Sequence, residues 1–168
     1  MTTKKLTLVL FGILVISIWV FGSAIRAGAE TMNYKFYNWT IKTEAAPVSD
    51  VEGHTVGLDV RKGISVFENG EVATHTGVVT YDFIKLSGPI MQYVTIKFSD
   101  GSTIIYKSQG TFGGSAAGWT SEIIKGTGRF EGIKGTQTGK GKYLPVETGE
   151  VGPKGYGEGT LTYTLPSK

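Results

Sequence analysis

The segment IMQYVTIKF-SDGS-TIIYKSQG, from Ile90 to Gly110, constrains the fold more than any other part of the chain. Ile90, Val94, Ile96 and Phe98 share one face of its first arm, interrupted by Gln92, with the period of two that marks a half-buried strand. Asp100-Gly101 takes φ > 0 at little cost, so the two arms are predicted to form an antiparallel hairpin.

The same alternation recurs along the chain. Met32 to Thr43 puts Lys35, Tyr37, Trp39 and Ile41 on one face and Tyr34, Phe36 and Asn38 on the other. A loop is predicted over Glu44 to His54, then strands at Thr55–Val60 and Ile64–Phe67, with a tight hairpin at Glu68-Asn-Gly70. Strands over Glu71–Gly77 and Val78–Leu86 lead to a break at Ser87-Gly-Pro89. After the Ile90–Gly110 hairpin come a small-residue loop at Gly113–Gly118, a strand from Trp119, and a last strand from Tyr156 to Leu165. No window carries a sustained apolar stripe of helical period. Strands about 10 residues apart predict an all-β fold: a closed antiparallel eight-stranded barrel, lipocalin-like (calycin-like), with a sandwich as the alternative.

The first residues read differently. Lys4 and Lys5 precede an apolar run from Leu6 to Phe21, and Ala27-Gly28-Ala29 ends it with a cleavage pattern, which predicts a signal peptide over residues 1–29 and a single barrel domain over 30–168. The alternative is an uncleaved anchor, since Leu6 to Ile25 at ~1.5 Å per residue spans a ~30 Å hydrocarbon core. Either reading places the domain outside the cytoplasm, secreted or periplasmic in the first case and membrane-anchored in the second. Lys4, Lys5 and Arg26 are three of the 17 bases, so the mature chain has 14 bases against 14 acids. The formal +3 of the whole chain is a property of the leader and argues for no nucleic-acid partner. The chain has no cysteine, which excludes a disulfide framework, a thiolate metal site and a thiol nucleophile.

GTGRFEGIKGTQTGKGK, from Gly126 to Lys142, sets glycine beside lysine as phosphate loops do. Only three residues separate Gly135 from Gly139, Lys140 is followed by glycine, and Glu131 stands where a dinucleotide fingerprint needs its third glycine. Strands flank the stretch where both motifs need a helix, so no nucleotide is expected. The structural reading has Gly126 and Gly128 at a turn with φ > 0, Phe130 in the core, and Gly132 and Gly135 relieving crowding at a barrel corner. With the preceding hairpin, the matching residues Asp100, Gly101, Gly110, Gly126, Thr127, Gly128, Arg129, Phe130, Gly132 and Gly135 resemble the allene oxide cyclase and dirigent superfamily. The resemblance spans residues 75–143. It implies an eight-stranded barrel with an apolar cavity, a trimer as in many plant members, and cyclisation or coupling of small apolar molecules without metal or organic cofactor. The cyclases' cysteine-bearing pocket has no counterpart, and no catalytic residue is carried over.

Candidate chemistry is sparse. With only His54 and His75, in no metal-ligand spacing, no metal and no cofactor are expected. Glu71 and His75 share a strand face that a barrel could turn inward, where an imidazole and a carboxylate could exchange protons; a solvated outer face is the alternative. Asp82 is either a buried acid with a shifted pKa or a rim residue. The aromatic residues exceed what one face of a small barrel holds, so Tyr37, Trp39, Tyr81, Tyr93 and Trp119 are candidates for a ligand cavity or a subunit interface. The expectation is a barrel that binds a small apolar molecule. Its alternatives are a cofactor-free cyclase or isomerase and a structural, self-associating envelope protein.

Overall fold

The computed structural model describes residues 28–167, so the predicted leader lies outside the described residues up to position 27. Eight strands follow in chain order: β1 (Glu30–Pro47), β2 (His54–Phe67), β3 (Val72–Ile84), β4 (Ser87–Phe98), β5 (Thr103–Gly113), β6 (Ala116–Thr127), β7 (Lys134–Tyr143) and β8 (Lys154–Thr164). A single 3-10 turn, Gly128–Phe130, joins β6 to β7. Each strand pairs antiparallel with the next, and β8 returns to β1 with Glu30 opposite Tyr163 and Trp39 opposite Lys154. The sheet is a closed barrel, not a sandwich. Closure pairs the backbone of every strand and leaves no edge open to other chains.

Several strands run through points where the sequence suggested breaks. β2 is continuous across Arg61–Gly63, because Gly63 pairs with His75 and a Cβ there would lie 2.5 Å from the His75 Nε2. The glycine makes room for an inward side chain instead of ending the strand. Between β3 and β4 the chain turns at Lys85-Leu86, with φ of 50° and 61°, and not at Ser87-Gly-Pro89, which belongs to β4. Two left-handed centres match the twist of the flanking strands, although each costs roughly 1 kcal/mol for a residue with a Cβ.

Two bulges reset which residues face inward. In β1 the register slips at Ile41, so Tyr34, Phe36, Asn38 and Thr40 point into the barrel and the next inward residue is Thr43. In β6 the slip at Ile124 follows Trp119, Ser121 and Ile123 with Gly126 as the next buried position.

The Gly126–Gly135 stretch is a turn with strands on both sides. Gly128 has φ of 63° and Gly132 of 75°, while Gly126 is not in the left-handed region. Gly126 serves by close approach, with the Phe130 carbonyl packed against it. Phe130 is buried in the core, and Gly135 faces Tyr163 across the β7–β8 ladder.

Candidate functional site: a cavity at the mouth of the barrel

The two ends of the barrel are filled differently. At the end carrying the β2–β3, β4–β5 and β6–β7 connections, Phe67 packs on Phe98 at 5.2 Å, Phe98 on Phe130 at 4.9 Å, and Phe130 on Tyr163 at 6.2 Å between ring centres. Arg129 covers this plug, its guanidinium 4.7 Å from the Phe98 ring centre and 4.8 Å from that of Phe130. Arg129 Nη2 donates to both carboxylate oxygens of Glu71, at 2.6 and 2.7 Å. This end is closed.

Above the plug lies a polar layer whose centre is fully satisfied. Gln137, completely buried, donates from Nε2 to Tyr34 Oη at 3.0 Å and to the Thr138 carbonyl at 2.6 Å. Its Oε1 accepts from Trp119 Nε1 at 3.1 Å and Ser121 Oγ at 2.5 Å. Burial pushes the Tyr34 phenol up to about 12, so it stays protonated.

The other end opens into a cavity of about 430 Å³. Its walls include Val79, Tyr81, Phe83, Ile90, Phe112 and Leu144. Tyr81, Phe83, Phe112 and Tyr143 form a continuous aromatic run, with ring centres 4.6, 5.3 and 5.4 Å apart in that order. β3 supplies the first two because Val79, Tyr81 and Phe83 alternate inward, as the period of two predicts.

The lining also contains a nearly buried ion pair. Arg61 Nη2 lies 2.8 Å from Asp59 Oδ2, with side-chain exposures of 13% and 6%. Arg61 Nη1 donates to Tyr143 Oη at 2.8 Å, and Thr43, placed inward by the β1 bulge, donates to Asp59 Oδ1 at 2.7 Å. Burial alone would lower the Arg61 pKa, but Tyr143 and Asp59 outweigh it and the net shift is upward. The guanidinium therefore keeps its charge inside the barrel.

A smaller space of about 30 Å³ shares Arg61, Val79 and Tyr143 with the mouth cavity and is also lined by Asn38, Ser65, His75, Gln92 and Trp119. His75 Nδ1 lies 3.0 Å from Ser65 Oγ, and burial pushes the imidazole down to about 4. It is neutral at neutral pH.

The candidate acids and base of the sequence do not converge. Glu71 sits at the closed end on Arg129, His75 lies inside the barrel, and Asp82 is on the mouth rim with its side chain 58% exposed. Eleven steps at ~3.3 Å separate Glu71 from Asp82 along the chain, roughly 36 Å. Asp82 instead accepts from His54: its Oδ1 is 2.7 Å from Nε2, while Asp50 Oδ1 is 2.5 Å from Nδ1. The clamp ties the β1–β2 loop to β3, and Asp50 first, then Asp82, hold the His54 pKa above its ordinary value.

Of the candidate ligand aromatics, Tyr81 lines the mouth cavity and Trp119 the inner space. Tyr37, Trp39 and Tyr93 lie on the outer surface. Tyr37 is flanked there by Ile64 of β2 and Tyr156 of β8. The sequence reading missed Asp59, Arg61 and Tyr143. The available signal was parity: Asp59, Arg61, Gly63 and Ser65 share the face of Phe67. Among the described residues no group of three or more His, Asp or Glu side chains is placed to hold a metal ion.

No protein-family model and no curated protein matches the chain. Among solved structures it is similar to the pterocarpan synthase dirigent protein PsPTS1, at 14% identity and a TM-score of 0.51, covering 83% of this chain and 97% of that one. The pterocarpan synthase dirigent protein GePTS1 aligns at 14% identity over 81% of this chain and 89% of that one, with a TM-score of 0.49. The described chain thus has the eight-stranded barrel fold of a dirigent protein, as its Gly126–Gly135 turn and Asp100-Gly101 hairpin suggested.

Proposed function

We propose that this chain is an exported barrel that holds one small apolar molecule in its mouth cavity. The observation that carries the reading is the contrast within one lumen: the aromatic residues of the closed end pack on one another, while Tyr81, Phe83, Phe112 and Tyr143 line about 430 Å³ of open space. A volume of a few hundred Å³ with apolar walls and a few placed polar groups suits a ligand of one or two fused rings. Export rests on the basic, apolar and A-x-A pattern of residues 1–29.

The outer row of Tyr156, Tyr37 and Ile64, together with Trp39, is an exposed apolar surface that suits a second copy of this chain. Tyr37 and Trp39 would then serve assembly and not the ligand.

Native mass spectrometry of the full chain, purified without organic solvent, tests the cavity reading. The expected result is a barrel carrying one small neutral molecule that solvent extraction releases and that Ile90→Trp, which fills the cavity, excludes. A co-purified molecule retained equally by Ile90→Trp would place binding elsewhere.

A further inference from the structure

We propose that the molecule bound in the mouth carries a neutral hydroxyl group, which enters the inner space and bonds to Asn38 and Arg61. This deepens the cavity-binding reading and rests on it. Among the described residues, two buried side-chain atoms have no hydrogen-bond partner, Asn38 Oδ1 and Arg61 Nε. Both residues line the small inner space, which shares Arg61, Val79 and Tyr143 with the mouth cavity.

The two atoms are complementary, since the amide oxygen accepts and the guanidinium N–H donates. A hydroxyl does both at once. It also satisfies Asn38 whichever end of the amide faces the space. Looseness of the whole interior does not explain the orphaned pair, because Gln137 in the same lumen has its amide oxygen and nitrogen both engaged. An unpaired buried polar atom keeps its desolvation cost until something bonds to it.

Size and charge narrow the group. The inner space is about 30 Å³ against about 430 Å³ at the mouth, so it suits a small polar terminus and leaves the ring system in the mouth. Gly155 leaves room for the Asn38 amide and the Tyr143 ring beside it, since a Cβ there would lie 2.8 Å from Asn38 Oδ1 and 2.8 Å from a Tyr143 ring carbon. Arg61 is already neutralised by Asp59, and His75 is uncharged, so a carboxylate would find no free cation and would meet the Asp59 charge. A neutral hydroxyl on an apolar body is the chemistry that fits.

Isothermal titration calorimetry of the full chain with three probes sharing one skeleton tests this at neutral pH: 2-methylnaphthalene, 2-naphthol and 2-naphthoate. The expected order is 2-naphthol at least about tenfold tighter than 2-methylnaphthalene, with 2-naphthoate no better than 2-methylnaphthalene. Asn38→Leu should reduce the preference for 2-naphthol to about twofold or less. Equal affinities for 2-naphthol and 2-methylnaphthalene in the native protein would mean that water satisfies the pair, overturning the hydroxyl while the cavity reading stands. Tightest binding of 2-naphthoate would overturn the neutral group. Binding of none of the three would overturn both readings. If Asn38→Leu fails to fold, the native preference alone decides.

Discussion

The two ends of the barrel use the same materials to opposite effect. Each sets an arginine against aromatic rings, with a carboxylate partner. At the closed end Arg129 is 42% exposed and lies over Phe98 and Phe130, whose rings pack together beneath it. At the mouth Arg61 is nearly buried with Asp59 and Tyr143, and the neighbouring rings line open space. An exposed arginine over packed rings closes a barrel cheaply, because its charge stays hydrated while its plane covers apolar surface. A buried ion pair beside unfilled space is costly to maintain. The closed end therefore reads as structure, and the unfilled mouth is what the proposed binding function rests on.

Arginine truncation should separate the two ends most sharply. Arg61→Ala strands Asp59 inside the barrel and should cost about 3–5 kcal/mol in urea denaturation, whereas Arg129→Ala, which loses a partly exposed pair with Glu71 and the cover over Phe98 and Phe130, should cost about 1–2 kcal/mol. Equal losses would erase the distinction. Ring truncation comes next. Phe98→Ala should cost about 3–4 kcal/mol by opening a void in the plug, and Phe112→Ala about 1 kcal/mol because its ring already borders the cavity. A Phe112→Ala loss as large as that of Phe98→Ala would mean that the mouth is packed core.

The histidines extend the contrast to pH. His75 is held neutral inside, with its folded pKa near 4 against an ordinary 6.5, so unfolding takes up a proton as pH falls through that window. Stability from this source is complete above about pH 6.5 and declines towards pH 4 by about 3 kcal/mol, and His75→Leu should remove the dependence. His54 at the mouth has the opposite sign. Its pKa is raised by Asp50 and Asp82, so its contribution is full below 6.5 and is lost as pH rises through the raised value. Amide exchange in the 48–53 loop, compared between pH 6 and pH 9 after correction for the intrinsic rate, should show the smallest effect, a modest loss of protection at the higher pH.

Much of this frame was legible in the chain and much of the site was not, for a physical reason. The Ile90–Gly110 hairpin was readable because both its period and its Asp-Gly turn are local, and Gly101 has the left-handed φ of 83° that such a turn needs. Alternation defines two faces of a strand but not which of them turns inward. β2 shows this: Ile64 and Val66 point out while Asp59, Arg61 and Ser65 point in, the reverse of what hydrophobicity suggests. Only closure of the sheet settles the side, and closure is set by pairings as distant as Glu30 with Tyr163. The same limit put Tyr37 and Tyr81 together as candidates though they lie on opposite sides of the wall. The bulge at Ile41 hid Thr43, because a single extra residue reverses the alternation after it.

On the proposed function, the mouth is a binding cavity and the closed end is not. Titration of the full chain with the neutral apolar dye N-phenyl-1-naphthylamine, read by its fluorescence, tests it most directly. The expected result is saturable binding of one dye per barrel that is lost in Ile90→Trp and retained in Arg129→Ala. Dye binding that persists in folded Ile90→Trp, or no saturable binding to the native chain, would contradict it.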